Sequence, residues 1–379
     1  MALVLTEDQE MLREAAEGFL TQNAPVAEFR KLRDGETQDG FDRDLWKAMV
    51  EMGWAGIVVP EDYGGSGFGL VGAGLLAEEM GKHLTASPFL ATAVLGATAL
   101  SKFGSADQKN AHLGAIAAGD HLMALAVDEG PRHAPAKTAM QATRHGNGFR
   151  LNGEKRFVAD GHIADQLIVA ARTSGEAGDS DGLTLFLVDR ASAGLDCEKT
   201  PMVDSRNAAR LQFDDVEVTA DAVLGEVDAG HEVLETILNA GRACLGAEMT
   251  GMAAQAFGTT LAYINERKQF GVPVGSFQAL QHRAAHLYSE VEMAKAVTLA
   301  ALQALDAGDP DAATMVSVAK AKAGQVALLA AQEGIQMHGG MGMTDAFDIG
   351  LYIKRVRVAG EMFGDAAWHS DQLARTLGF

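Results

Sequence analysis

The sequence predicts an α+β multidomain protein: an N-terminal helical domain, a central antiparallel β domain and a C-terminal four-helix bundle. Three observations predict this order. Apolar residues recur at helical spacing in both end regions, short β-prone runs between turn residues fill the middle, and 379 residues suffice for two or three domains. We place the domains at residues 1–119, 120–227 and 228–379.

The first domain is predicted to be mainly helical. Thr6 precedes Glu7 and Asp8, which is a typical start of a helix running through Phe19 and Leu20. Apolar residues recur at helical spacing in three further stretches, residues 42–52, 71–80 and 91–103.

A glycine-rich loop lies within this domain. Gly67, Gly69 and Gly72 match the spacing of the dinucleotide-binding fingerprint. However, the strand candidate before them is short and ends at Pro60, and no acidic residue follows at the distance that would bind a ribose. We therefore expect a surface loop near a ligand and not an NAD site.

The central region has the pattern of β-strands joined by tight turns. Its β-prone runs are residues 122–127, 148–151, 167–171, 183–188, 211–213 and 216–218. Glycine and asparagine pairs separate several of them, as in Gly146-Asn147-Gly148. No helices alternate with the runs, so the pattern favours an antiparallel sandwich or barrel over βαβ units.

The third domain is predicted to be an antiparallel bundle. Its Ala-, Leu- and Met-rich helical stretches are residues 231–267, 277–307, 311–337 and 361–376. The breaks at 271–273 and 308–310 contain glycine and proline, which end helices. Core packing is the simplest role of these apolar stripes.

Charge and cysteine content exclude several classes of function. The formal net charge is −20, which argues against nucleic acid or an anionic membrane as a bulk partner. Cys197 and Cys244 form neither a disulfide framework nor a metal-ligand spacing, so we expect no metal and a reducing compartment. The first residues lack a basic, apolar signal pattern and no membrane-length apolar stretch occurs, so we expect a cytoplasmic location.

Two motifs in the C-terminal half carry most of the functional information. The first is Tyr263-x-x-x-Arg267-Lys268-Gln269-Phe270-Gly271, and the second is Gln336-Met337-His338-Gly339-Gly340-Met341-Gly342. Each closes a helical stretch with glycine and places polar groups beside it. Exposed backbone N–H groups next to an arginine suit a diphosphate.

These motifs resemble those of the flavin-dependent acyl-CoA dehydrogenases. The resemblance extends over essentially the whole chain through Met52-Gly53-Trp54-Ala55-Gly56, residues 59–67, Glu78-Glu79-Met80-Gly81, residues 151–155 and Leu224-Gly225. It implies FAD as cofactor and an acyl-CoA thioester as substrate. In such enzymes a carboxylate removes the α proton, hydrogen bonds polarise the thioester carbonyl, and the β hydrogen leaves as a hydride to the flavin.

The resemblance also implies a cofactor site shared between subunits. One subunit's β domain holds the flavin, and a neighbour's two motifs hold the diphosphate and adenosine. The implied FAD contacts are Arg267, Gln269, Phe270, Gln278, Gln336, Gly339 and Gly340. The implied partners are a second acyl-CoA dehydrogenase-like subunit or another copy of this chain, and an electron-transfer flavoprotein.

Several positions depart from the family pattern. The family's flavin-binding Thr-Glu-Pro-x-x-Gly-Ser-Asp reads here as residues 127–133, without the Gly-Ser-Asp. Its Trp-Ile-Thr reads Phe157-Val158-Ala159. The two positions that the family uses for the base are Gly241 and Phe363, neither of which can accept a proton.

Three charged residues remain candidates for the catalytic site. Arg242 fits the family's helix arginine, with a structural ion pair as the alternative. Glu248 lies seven residues after Gly241, on the same helix face and about 10 Å further along. Either Glu248 or Glu361 could replace the base. The alternative for Glu248 is a buried helix–helix hydrogen bond, and the alternative for Glu361 is a solvated surface charge.

These matches and departures lead to three hypotheses. The first is an FAD-dependent acyl-CoA dehydrogenase subunit that supplies the diphosphate half of a shared site in a heterotetramer, acting on a bulky acyl-CoA such as one from fatty acid or steroid side-chain catabolism. The second is a homomeric dehydrogenase with Glu248 as a relocated base. The third is a flavin-free structural subunit.

Overall fold

A computed structural model describes residues 3–35 and 37–379. The chain forms two compact units. One contains residues 3–35, 70–86 and 242–379 and is helical apart from a small hairpin; the other contains residues 37–69 and 87–241 and includes the large sheet. The predicted order of helices, sheet and helices is confirmed.

The α-helices of the described residues are distributed over both ends of the chain. In chain order they are α1 (Glu7–Asn23), α2 (Val26–Asp34), α3 (Arg43–Glu51), α4 (Gly69–His83), α5 (Ala97–Phe103), α6 (Ala106–Ala117), α7 (Gly230–Glu266), α8 (Gln278–Asp306), α9 (Ala312–His338), α10 (Ile349–Glu361) and α11 (Ala366–Thr376). A π-helix, Phe89–Gly96, precedes α5.

Side-chain caps fix where several of these helices begin. The Thr6 hydroxyl accepts from the backbone N–H of Gln9 at 3.2 Å, and Gln9 returns a hydrogen bond to the N–H of Thr6 at 3.1 Å. This capping box confirms the predicted start of the first helix. Asp42 caps α3 with its carboxylate alone, which accepts from the N–H groups of Asp44 and Leu45.

The C-terminal helices match the sequence pattern with one addition. The stretches predicted over 231–267, 277–307 and 311–337 are α7, α8 and α9. The sequence did not predict α10, because its charged run at 354–357 interrupts the apolar periodicity. The last helix begins at Ala366 and not at 361. No helix of the described residues is long and apolar enough to cross a membrane.

Glycines allow α4 and α7 to approach closely. A Cβ at Gly81 would lie 2.1 Å from the backbone oxygen of Glu248, and one at Gly251 would lie 1.9 Å from that of Glu78. The N–H groups of Leu70 and Val71, at the start of α4, donate to the Asp306 carboxylate at 2.7 and 2.9 Å. A side chain therefore already occupies the helix end that a dinucleotide phosphate would need.

Within residues 3–35 and 37–379, the strands form one eight-stranded sheet and a separate hairpin. They are β1 (Met123–Ala126), β2 (Gln141–His145), β3 (Gly148–Ala159), β4 (Gln166–Arg172), β5 (Leu183–Asp189), β6 (Leu195–Pro201), β7 (Asn207–Val218), β8 (Val223–Leu224), β9 (Lys268–Gln269) and β10 (Val272–Pro273). The order in the large sheet is β6-β7-β3-β2-β4-β5-β8, with β1 also beside β4.

The large sheet is mainly antiparallel, as predicted, but it contains two parallel pairings. β1 pairs with residues 166–169 of β4, and β2 begins opposite Arg172 at the other end of the same strand. β1 and β2 thus run along β4 like one strand interrupted by residues 127–140. Sequence periodicity reports which residues are buried, not which strand lies beside which, so it could not reveal this arrangement.

Candidate functional site

The first C-terminal motif forms a tight hairpin with an exposed aromatic tip. Gln269 of β9 pairs with Val272 of β10, which leaves Phe270 and Gly271 as the two turn residues. Their φ angles are +54° and +82°. Two consecutive left-handed residues define a type I′ turn, in which a phenylalanine is strained. The Phe270 ring is 93% exposed, so this strain presents it to the surroundings.

Polar side chains without partners flank the hairpin in sequence or lie near the end of α9. Arg267, Gln278 and Gln336 are exposed, and their side chains form no hydrogen bond with another described residue. Gln278 is the first residue of α8, and no side chain caps that helix. Uncommitted donors and an uncapped helix start are the groups that an anionic ligand requires.

The second motif ends α9 with two open glycines. Gly339 has φ +61° and ψ −140°, a conformation that only glycine adopts readily. A Cβ at Gly339 or at Gly340 would meet no atom within 4 Å. The backbone at this turn is therefore bare, which lets a ligand approach it closely.

An aromatic stack joins the two motifs. Tyr263 belongs to the first motif and His338 to the second, and their ring centroids lie 4.2 Å apart. His338 Nδ1 donates to the Gly334 carbonyl oxygen at 2.7 Å. Burial lowers the pKa of His338, so the ring is neutral near pH 7. The structure thus brings together the two motifs on which the sequence interpretation depends.

Phe363 and Arg242 are in direct contact. Phe363 is buried and has φ +57°, and its carbonyl oxygen accepts from Arg242 Nε at 3.1 Å. Arg242 is only 2% exposed, and its guanidinium lies 4.8 Å from the Trp368 ring centroid. The Phe363 side chain is a hydrocarbon ring and cannot accept a proton. Its backbone oxygen is already bonded to Arg242. Gly241 is a buried residue of α7.

Lys320 fixes the same turn, although the sequence interpretation missed it. Its ammonium donates to the carbonyl oxygens of Ala359, Gly360 and Gly364 at 3.2, 3.1 and 2.9 Å. Burial, together with the nearby charge of Arg242, lowers its pKa to about 7. Lys320 therefore caps the C-terminal end of α10 from inside the bundle. The available signal was its position four residues after Val316, on the buried face of α9.

Glu248 forms a buried ion pair. Both of its carboxylate oxygens accept from Arg355, at 2.8 Å each, and both side chains are buried. This bidentate geometry holds α7 to α10 and corresponds to the helix–helix hydrogen bond given above as the alternative. Glu361, the last residue of α10, is exposed.

Comparisons with known proteins identify the family. Sequence profiles match residues 6–120 as an acyl-CoA dehydrogenase N-terminal domain, 128–216 as the middle domain and 228–378 as the C-terminal domain. The probable acyl-CoA dehydrogenase YngJ of Bacillus subtilis is 32% identical over 357 residues, which cover 92% of each protein. The chain belongs to the acyl-CoA dehydrogenase family.

Solved acyl-CoA dehydrogenase structures superpose on nearly the whole chain. The Tcur3481-Tcur3483 steroid ACAD, in a variant form, shares 29% identity with a TM-score of 0.89 over 98% of both chains. A chain of the ChsE4-ChsE5 complex from Mycobacterium tuberculosis shares 26% identity with a TM-score of 0.89, over 100% of this chain and 99% of that one. The predicted family and fold are confirmed.

Membership of the acyl-CoA dehydrogenase family makes the chain a flavoprotein oxidoreductase with FAD as its cofactor. The C-terminal motifs fit part of such a cofactor. They present an uncommitted guanidinium, an uncapped helix start and a bare glycine turn, all of which suit a diphosphate.

Two acidic residues at the start of the middle domain, Asp128 and Glu129, form local contacts. Asp128 lies 3.0 Å from His133 Nδ1 through each carboxylate oxygen. Glu129 accepts from Lys155 Nζ at 2.7 Å and from the N–H groups of Ala139 and Met140 at 2.9 and 3.0 Å. These bonds occupy the segment that replaces the family's Gly-Ser-Asp.

The second altered stretch lies beside the first. The N–H of Arg156 donates to the backbone oxygen of Asp128 at 2.7 Å. The next residue, Phe157, has φ +53° and is half exposed. Both altered stretches therefore belong to one local cluster, in which Ala159 lacks the hydroxyl that the family carries.

Proposed function

We propose that this chain is the non-catalytic type of subunit in a heteromeric acyl-CoA dehydrogenase. It supplies the diphosphate and adenosine half of an FAD site whose flavin is held by a second, acyl-CoA dehydrogenase-like subunit. The complex is a tetramer that desaturates the α,β bond of a bulky acyl-CoA. The observation that carries this proposal is the state of Phe363: a buried ring stands where the family places its base.

The polar groups of the C-terminal motifs that have no partner support a role in binding the diphosphate and adenosine of FAD. Arg267 would contribute charge to the diphosphate, while Gln269, Gln278 and Gln336 would contribute hydrogen bonds. Gly339 and Gly340 would offer backbone donors, and Phe270 would supply an aromatic contact at the hairpin tip. These groups are exposed in the single chain, as a site completed by a neighbour requires.

The altered base and flavin-ring positions support the loss of an independent active site. Arg242 and Lys320 bond to the turn around Phe363, the flanking Asp365 accepts from the N–H of Trp368 as the cap of α11, and the flanking Glu361 is exposed. The chemistry that FAD supplies in this family is acceptance of the hydride from the β carbon.

Two structural relatives support a heteromer and a bulky substrate. The ChsE4-ChsE5 assembly is a complex of two different proteins, and the Tcur3481-Tcur3483 protein is described as a steroid ACAD. Their identity of 26–29% to this chain extends over almost its full length. An electron-transfer flavoprotein is the proposed electron acceptor of the complex.

The homomeric alternative with Glu248 as base has less support. Arg355 donates to both oxygens of Glu248, which holds the carboxylate in a buried ion pair between two helices. Use of Glu248 as a base would require this buried pair to open during each turnover. We therefore place Arg242 and Glu248 in structural roles within the subunit.

Co-purification tests the proposal directly. The chain is produced alone and together with the acyl-CoA dehydrogenase-like protein encoded beside it, and FAD per chain and acyl-CoA turnover are measured. We expect little FAD and negligible turnover from the single chain. The complex should carry fewer FAD molecules than chains and should turn over.

A matched pair of variants separates an effect on FAD binding from an effect on the stability of the fold. Arg267→Gln should reduce FAD retained by the complex at least tenfold, because it removes the charge opposite the diphosphate. Arg375→Gln removes an exposed arginine of α11 that pairs only locally with Asp371, and it should leave FAD unchanged. If the chain purified alone binds one FAD per chain and shows full turnover, the heteromer proposal is wrong.

A further inference from the structure

A cavity in the helical unit lies among the N-terminal segment, α1, α4, α7 and α8. Its volume is about 440 Å³. Its apolar walls include Leu75 of α4 and Leu299 and Leu302 of α8, and its polar groups include Arg13 of α1, Glu78 of α4 and Thr298 of α8. None of these residues belongs to the two C-terminal motifs.

The outer wall of the cavity is held in place. Residues 3–5 form this wall, and the backbone oxygen of Val4 accepts from Gln303 Nε2 at 3.3 Å. The capping box at Thr6 fixes the chain immediately afterwards. Gly74 contributes to the opposite wall, where a Cβ would lie 2.3 Å from Leu302 Cδ1. The cavity is therefore a feature of ordered backbone.

Three polar side chains meet this cavity without a protein partner. Thr298 is 2% exposed, and its hydroxyl oxygen forms no hydrogen bond within the described part of the chain. Glu78 and Arg13 likewise form no side-chain hydrogen bond, and no ion pair within 4.0 Å, with any described residue. Arg13 is exposed and Glu78 is partly buried, but a buried hydroxyl is normally paired, so Thr298 indicates a ligand in the cavity.

Glu78 and Arg13 have opposite charges and form no ion pair with each other; Glu10, Glu292 and Lys295 also line the cavity. Burial raises the pKa of Glu78, while Lys295, Lys82 and Arg13 act in the opposite direction. Lys295 is already paired with Glu292, at 3.4 Å. The acid and Arg13 therefore face a shared space without forming an ion pair across it. A water molecule could satisfy the hydroxyl, but it would leave the partly buried Glu78 carboxylate without a counter-charge.

We propose that this cavity binds a small aliphatic zwitterion, such as a free amino acid. Its ammonium pairs with Glu78, its carboxylate pairs with Arg13, and its hydrocarbon part packs on Leu75, Leu299 and Leu302. The Thr298 hydroxyl donates to the carboxylate. A metal ion is not favoured, since the described residues contain no group of three or more His, Cys, Asp or Glu that could hold one. The volume lies within the range of about 300–1,000 Å³ for small-molecule sites.

Calorimetric titration of the full chain with three probes tests the ligand class. The probes are L-leucine, isocaproate, which lacks the amino group, and isoamylamine, which lacks the carboxylate. We expect leucine to bind at least tenfold more tightly than either analogue, because only leucine pairs both charges. No binding by any probe, or equal binding by leucine and one analogue, would overturn the proposal.

Variants assign the two charges separately. Glu78→Gln should weaken leucine at least tenfold and leave the weak binding of isocaproate unchanged, while Arg13→Gln should weaken leucine and spare isoamylamine. Thr298→Val should weaken leucine several-fold. Glu14→Gln, an exposed neighbour on α1 outside the cavity, is the control.

Unaltered leucine affinity in both charge variants, measured on protein whose Tm matches the parent, would also overturn the proposal. The readout uses neither FAD nor acyl-CoA. Its outcome is therefore independent of the proposed dehydrogenase role.

Discussion

Tyr263 and His338 stack with ring centroids 4.2 Å apart and an interplanar angle of 21°. One ring comes from the end of α7 and the other from the last residue of α9, so this contact joins the hairpin motif to the glycine motif. Phe347 closes the group by an edge contact 5.4 Å from Tyr263. The positions of Arg267 and Gly339 relative to each other thus depend on a small aromatic cluster.

Removing the histidine should loosen both motifs. His338→Ala empties a buried site and removes the stack, which should lower the free energy of unfolding by roughly 2–4 kcal/mol. FAD retained by the complex should fall as well. Tyr263→Phe keeps the stack, and the Tyr263 hydroxyl bonds to no described residue, so urea denaturation should show a change within about 0.5 kcal/mol. Equal losses in the two variants would show that the stack is not the source of the effect.

We expect Phe270 to lower the stability of the chain and to increase its binding of FAD. Its left-handed conformation costs roughly 1–2 kcal/mol relative to glycine, and its ring is almost fully exposed. Phe270→Gly should therefore stabilise the chain by about 1 kcal/mol in urea while reducing FAD retention. Phe270→Ala keeps the strain and loses the ring, so it should reduce FAD without the gain in stability. A destabilised glycine variant would argue that the ring packs within its own chain.

Local sequence patterns predicted the fold well where periodicity and capping agree. The three long C-terminal helices and the Thr6 start follow from apolar spacing and a capping box. The sequence did not predict α10 because Arg355 has the pattern of a surface charge. In the structure Arg355 is buried and pairs with the Glu248 carboxylate of α7. The parallel position of β1 depends equally on a distant strand, and local patterning carries no record of it.

The candidate site was predicted unevenly for the same reason. Arg267, Phe270 and Gly339 lie in contiguous motifs, so the sequence could name them, and their roles in FAD binding stay predictions. Lys320 stabilises a turn about forty residues further along, and only the fold reveals its three carbonyl partners. Sequence alone left Glu248 open between a base and an ion pair, because the choice depends on where Arg355 lies.

Glu248 and Arg355 provide a test of structural against catalytic roles. Glu248→Gln leaves a buried guanidinium without its counter-charge, and it should lower the free energy of unfolding by about 3–5 kcal/mol. Replacing both residues, as Glu248→Leu with Arg355→Met, should recover most of that loss, since a packed apolar pair avoids the desolvation of two charges. Urea denaturation of the three proteins measures both effects. If Glu248→Gln keeps full stability but abolishes turnover of the complex, the carboxylate acts in catalysis.

Lys320 should make stability depend on pH above neutrality. Its pKa in the folded chain is lowered to about 7, whereas an unfolded lysine titrates at about 10.4. Between these values the unfolded chain binds more protons than the folded one, so the contribution of Lys320 to stability rises with pH, by at most about 1.4 kcal/mol per pH unit. Below pH 7 both states are protonated and the cost of burying the charge is fully present.

Lys320→Met removes this group while keeping much of its volume. The difference in unfolding free energy between the parent and Lys320→Met, measured in urea from pH 6.5 to 9.5, should therefore shift in favour of the parent as pH rises. Parallel profiles would show that the three carbonyl oxygens hold Lys320 protonated throughout this range.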